Sequence, residues 1–82
     1  MVESIVLINA PAKNSGIVID ELKKIEQVKE AAAIYGEIDI YARIVAEDLD
    51  ELDNIIMEKI QSVPSVVTTR THIVVNSLRW AR

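Results

Sequence analysis

AIYGEIDIYARI, residues Ala33 to Ile44, decides how this chain folds. Two apolar runs meet at Tyr35-Gly36-Glu37-Ile38-Asp39. Gly36 permits a positive φ and Glu37 suits an exposed position, so the segment reads as a hairpin between two strands. Successive strand residues point to opposite faces. Ile38, Ile40, Ala42 and Ile44 therefore share one side of the later strand, and Asp39, Tyr41, Arg43 and Val45 the other. The hairpin alone does not account for Asp39. Aspartate is disfavoured inside strands, and a half-buried carboxylate needs a donor.

Outward from the hairpin, Val28 to Tyr35 reads as the earlier strand and Ile38 to Ala46 as the later one. In the earlier strand Ala31, Ala33 and Tyr35 share one face, with Val28, Ala32 and Ile34 mostly on the other. Upstream, the β-branched run Val2 to Ile8 reads as a strand, and residues 9–16 carry turn signals. A helix starts near Ser15, with Asn14 or Ser15 as N-cap. Val18, Leu22 and Ile25 form its apolar stripe, and Lys23 and Lys24 sit late, where cations suit the helix dipole. Downstream, Asp48 is the expected N-cap of a second helix, with Glu51 three residues on. Leu49, Leu52, Ile56 and Ile60 repeat at helical spacing, and Pro64 closes that helix. Val66 to Val75 reads as a last strand, followed by a tail, Ser77 to Arg82, that holds Trp80.

The order is β-α-β-β-α-β. Ile25-x-x-Val28 and Ile60-x-x-Val63 lie 35 positions apart, and the same offset carries Ile5 to Ile40. This weak repeat predicts an α+β, ferredoxin-like βαββαβ sandwich: a four-stranded antiparallel sheet with two helices on one face. Both faces of the sheet read as largely apolar, and two helices cover only one of them. The expectation is a homodimer joined sheet to sheet.

The chain has 82 residues, enough for one domain spanning residues 1–82. Half of them are hydrophobic, which is apolar for so small a monomer. The absence of cysteine excludes disulfides and thiolate metal sites within the chain. His72 is the only histidine, so a multi-histidine metal site within one chain is excluded as well. A net charge of −4 and a pI near 4.8 argue against direct nucleic-acid binding. The N-terminus has no basic leader, and no apolar run approaches membrane-spanning length. The expectation is a cytoplasmic protein with no cofactor, no metal and no membrane contact.

Catalytic motifs are missing. No G-x-S-x-G surrounds a serine, and two glycines cannot build a phosphate-binding loop. His72 lies among threonines and valines and reads as a strand histidine at a rim or interface. Glu47, Asp48, Asp50, Glu51 and Asp53 crowd a helix start, where negative charge is favoured. No glycine follows them to make a calcium loop. Two candidates remain. One is the Gly36–Asp39 unit. The other is Thr68-Thr69-Arg70-Thr71, in which Thr69 and Thr71 place two hydroxyls on one face. Threonine is also a good strand former, so that run alone carries little.

Together the two motifs resemble the effector-binding (RAM) domain of the leucine-responsive/AsnC regulators. Val28-Lys29-Glu30-Ala31 with Gly36-Glu37-Ile38-Asp39 is similar to the family's V-x-x-(A/C)-x-x-x-x-G-x-(Y/F)-D segment. Asp48 to Leu52 fits its acidic helix start. Pro64-Ser65-Val66, Thr69, Thr71, Ile73 and Val74 follow its P-G-V-x-x-T-x-T-x-I-V ending. Two positions depart: Ile38 replaces an aromatic and Ser65 a glycine. The resemblance implies a non-enzymatic module that binds an amino-acid effector. It also implies dimers assembling into an octamer or decamer, and partnership with a full-length Lrp/AsnC regulator. The effector site would lie between neighbouring dimers, on Gly36, Glu37, Ile38 and Asp39 with Thr69 and Thr71. The chain begins at its first strand and so reads as a stand-alone, archaeal-type form without the helix-turn-helix. The same unit also builds small dimeric α/β-barrel enzymes and ACT-like amino-acid sensors, which stand as alternatives.

Overall fold

The computed structural model describes all of residues 1–82. Strand β1 spans Val2–Asn9, helix α1 Ser15–Leu22, β2 Val28–Ala33 and β3 Ile40–Ala46. Helix α2 spans Leu49–Asn54 and runs on into π-helical turns over Ile55–Ile60, and β4 spans Thr68–Ile73. Short 3₁₀ turns cover Ala12–Asn14 and Asn76–Leu78. All strand pairs are antiparallel, in the order β2-β3-β1-β4. This is the expected βαββαβ sandwich.

The alternation read from the hairpin decides the core. Ile40, Ala42, Ile44 and Ala46 of β3 are buried, as are Ser4, Val6 and Ile8 of β1. They face Val18 and Leu22 of α1 and Leu52, Ile55, Ile56 and Ile60 of the second helix. Each Leu or Ile so buried contributes roughly 1.5–3 kcal/mol. Asp48 caps α2 as expected: its Oδ1 accepts the Glu51 N–H at 2.9 Å. Negative charge at Asp50 and Glu51 suits that helix start.

Several sequence-based boundaries move. The hydrogen-bonded strands at the hairpin are shorter than expected, because β2 ends at Ala33 and β3 begins at Ile40. Pairing of β4 reaches one residue past each end, through Val67 N–H to Asn9 O and Val74 N–H to Glu3 O, both 2.8 Å. Leu49 is 58% exposed and leaves the stripe to Ile55, because it lies at the helix start where no element covers it. Val28 joins Ala31 and Ala33 on the helix side, opposite Ile44, because a bulge between Val28 and Glu30 inserts one residue. The 35-residue repeat fails inside the strands. An odd offset reverses the face, and Ile5, opposite Arg43, lies on the side away from Ile40. Asn14 holds the N-cap position of α1 but makes no side-chain cap there; its amide donates instead to Ser65 Oγ at 2.9 Å.

Candidate functional site

Antiparallel pairing brings the end of β1, the β2–β3 hairpin and the start of β4 to one end of the sheet. Gly36, at the hairpin tip, has φ 137°, a conformation that a side chain would strain. Tyr35 and Glu37 beside it are exposed. The backbone N–H groups of Tyr35, Gly36, Glu37 and Ile38 donate to no acceptor in the chain. The hairpin is closed below them by Ile34 N–H to Asp39 O at 3.0 Å.

Asp39 has the donor its position demands. Its Oδ2 accepts the Ala10 N–H at 2.9 Å, and its own N–H donates to Ile8 O at 3.2 Å. The carboxylate ties the mouth of the hairpin to the end of β1. Only Oδ2 is engaged; Oδ1 has no partner within the chain. Asn9, the last residue of β1, carries an Oδ1 that is sheltered from solvent and unpartnered. Sequence reasoning did not single out Asn9, since one asparagine before an Ala-Pro turn gives no signal of its own.

Thr69 and Thr71 stand on β4 opposite Ile8 and Val6, so both lie on the helix side of the sheet, as their alternation predicts. Thr69 Oγ1 accepts from Gln61 Nε2 at 3.4 Å. It lines a surface cleft of about 210 Å³ with Gln61, Val66, Val67 and Thr68. Within one chain β1 separates the strand of these threonines from β3, the nearer arm of the hairpin. The structure brings together Gly36 to Asp39 with Ala10 and Asn9, and Thr69 with Gln61, as two separate groups. His72 is exposed on the opposite face of β4, across from Ile5.

The face of the sheet away from the helices holds a charged network. Glu3 is in ion-pair contact with Arg43 at 3.6 Å and with Arg79 at 2.6 Å. Arg43 also meets Glu30 at 3.4 Å, and the Tyr41 hydroxyl donates to Glu30 at 2.6 Å. Arg79 and then Arg43 hold the Glu3 carboxyl below its usual range. The Tyr41 hydroxyl, with Arg43 assisting, does the same for Glu30. The Glu30 carboxylate in turn raises the Tyr41 phenol. Charges at facing positions on three adjacent strands become visible as a network only once strand order and register are known. No three His, Asp or Glu side chains converge as metal ligands. The surface has four shallow clefts of about 210–280 Å³. No helix is long and apolar enough to cross a membrane.

A two-helix sandwich on a four-stranded antiparallel sheet of this order defines the class: a ferredoxin-like α+β domain. The family described as the Lrp/AsnC ligand binding domain matches residues 3–79, and the chain belongs to that family. A helix-turn-helix-type transcriptional regulator of Pyrococcus horikoshii is 30% identical over 63 residues, covering 77% of this chain. That match spans 40% of the regulator's own length. The crystal structure of FFRP-DM1 matches with TM-score 0.86 and 33% identity, covering 92% of this chain and 100% of that one. The feast or famine regulatory protein of M. tuberculosis, complexed with L-methionine, has the same fold, with TM-score 0.83 and 19% identity. That match covers 100% of this chain and 55% of the other.

Proposed function

We propose that this chain is a non-catalytic sensor module that binds a small amino acid at the Gly36 hairpin. The observation that carries this reading is the run of four unpaired backbone N–H groups from Tyr35 to Ile38. Clustered backbone donors around a glycine suit a carboxylate. The unpartnered Oδ1 atoms of Asp39 and Asn9 at the same end of the sheet suit an ammonium. An α-amino acid carries both groups. The methionine bound to the mycobacterial protein of this fold agrees with that ligand class.

In this reading Thr69 and Thr71 serve such a ligand from another copy, since β1 separates their own strand from the β3 arm of the hairpin. The site is therefore one shared between subunits. We read the assembly as dimers packed through the open sheet face and joined further into a ring of four or five dimers. The matched regulator is more than twice as long as the aligned segment, so mixed assembly with a full-length regulator of the family is the route by which binding would reach transcription. A barrel-type enzyme would hold its pocket between helices and sheet. In this chain fifteen buried apolar residues fill that space.

Calorimetry with each common amino acid tests the reading. Binding of at least one is expected, and no binding to the wild-type oligomer overturns it. Asp39→Ala should weaken binding, but it also removes the bond to Ala10. Thr71→Val, on an exposed position, gives the independent check: weaker binding with an unchanged melting temperature.

A further inference from the structure

The Gly36 hairpin extends from an edge strand, β2, which pairs only with β3. Where β2 runs into the hairpin tip there is a cleft of about 280 Å³, lined by Ala33, Ile34 and Tyr35 alone. It differs in kind from the other three clefts of the surface. Each of those has a charged or amide side chain in its lining: Glu47 in one, Gln61 in the second, Lys23 in the third. The cleft at the hairpin has no polar side-chain group except the Tyr35 hydroxyl. Nothing nearby supplies it with a charge. No lysine or arginine occurs between Lys29 and Arg43. Those two are engaged elsewhere, Lys29 with the Glu26 carbonyl and Arg43 with Glu3 and Glu30. Of the acids at the tip, Glu37 lies outside the lining, and Asp39 is tied by Oδ2 to the Ala10 N–H at 2.9 Å. Tyr35 itself is out of place for a turn, where Gly, Pro, Asn, Asp and Ser dominate. Its side chain is fully exposed, and Ile34 beside it is partly so. A tyrosine ring offers a large, stiff apolar contact area to whatever covers it.

We infer that the Ala33–Tyr35 cleft takes the side chain of the amino acid held at the hairpin, and that this side chain is apolar. The inference rests on the amino-acid binding proposed above and adds the side-chain class and the residue that sets it, Tyr35. The free N–H groups from Tyr35 to Ile38 are taken up by the α-carboxylate, and the unpartnered oxygens of Asp39 and Asn9 by the ammonium. The rest of the ligand extends over the adjoining cleft wall, because Tyr35 contributes both the first free donor and the cleft's outer side. An aliphatic or aromatic side chain placed there leaves water together with Ala33, Ile34 and the Tyr35 ring, and that burial is favourable. A carboxylate, ammonium or amide would be desolvated against the same wall with no partner, which is costly. Rejection of polar side chains is therefore stronger than discrimination among apolar ones, which differ only in methylene groups.

Calorimetry on the wild-type assembly tests it, with leucine, methionine and phenylalanine set against asparagine, glutamate and lysine. The apolar set should bind about tenfold tighter or more. Tyr35→Ala should shrink the ratio of leucine to alanine affinity by about fivefold or more. Its melting temperature should not change, because the side chain stands fully exposed. Tyr35→Glu should turn the preference toward lysine. A polar or charged amino acid that binds wild type tightest overturns the inference and leaves amino-acid binding at the hairpin standing. A Tyr35→Ala protein that keeps the wild-type ratio does the same. So does a ligand-free Tyr35→Ala protein that sediments as a smaller species than wild type, since the cleft then belongs to a neighbouring copy. No binding of any amino acid to wild type overturns both.

Discussion

On the helix-covered side of the sheet, Val6, Ile8, Ile40, Ala42 and Ile44 are fully buried. On the other side of the same strands, Ile5, Leu7, Tyr41 and Arg43 remain half exposed. The two sides share every backbone hydrogen bond, so the ladder itself does not distinguish them. Side chains do. One face packs with the helices into a single cluster of 15 buried apolar residues. The other mixes an apolar row with a network from Arg79 through Glu3, Arg43 and Glu30 to Tyr41. The first face is finished by its own chain, and the second is left uncovered by it.

The largest expected effect breaks the finished face. Ile44→Ala removes a fully buried side chain between α1, α2 and the sheet and should cost about 2–5 kcal/mol in urea unfolding. Leu7→Ala on the open face, measured at concentrations too low for self-association, should cost about 1 kcal/mol or less. Equal losses at the two positions would mean that the open face is already packed within one chain, and the contrast between the faces would not hold.

Much of that contrast is legible in the sequence, because strand alternation needs only the residue order. Ile40, Ala42 and Ile44 declare their side without any knowledge of the neighbouring strands. The failures have a common cause in features set by more than one segment. The bulge that turns Val28 inward depends on how β2 pairs with β3. The donor for Asp39 is Ala10, 29 residues away, so no local pattern around Asp39 announces it. Alternation puts Thr69 and Thr71 on one face, yet only the strand order shows that β1 stands between them and the hairpin's β3 arm. The role proposed for the hairpin rests on a resemblance to a family; its free N–H groups are a property of the folded turn.

A smaller effect, of opposite sign, sharpens the comparison. Ser4 is the one polar residue among the buried set, and its hydroxyl has no hydrogen-bond partner. A buried, unpaired polar group costs about 1–3 kcal/mol. Ser4→Ala removes the hydroxyl without leaving a large cavity, so unfolding free energy should rise by about 1 kcal/mol or more by that rule. A loss instead would show that the hydroxyl has a partner in solution.

The open face should respond to acid. Glu3 and Glu30 are held below the ordinary 4.5 by partners that favour the ionised form. Such groups add stability above the unfolded value, and it is lost as pH falls through the lowered folded value. Melting temperature should therefore drop below about pH 4.5, and Glu30→Gln should shrink the drop. Tyr41 runs the other way. Its raised phenol adds stability below the ordinary 10.0 that is lost as pH rises beyond it. Both effects are modest, because these ion pairs lie at a solvent-facing surface.

The smallest expected change lies at the rim of the covered face. Ser65 has φ 80°, in the left-handed region that favours glycine. A side chain there costs roughly 1–2 kcal/mol. The Ser65 hydroxyl accepts from the Asn14 amide at 2.9 Å and so ties the turn before β4 to the start of α1. One such bond contributes about 0.5–1.5 kcal/mol. Ser65→Gly removes strain and bond together and should leave stability nearly unchanged. Ser65→Ala keeps the strain and loses the bond, so it should be the less stable variant by about 1 kcal/mol on the same scale. Asn14→Ala should match Ser65→Ala, and the double variant should cost no more than either alone, because both remove one contact. Additive losses would mean that Asn14 supports the helix start independently, and the departure from glycine would then need another compensation.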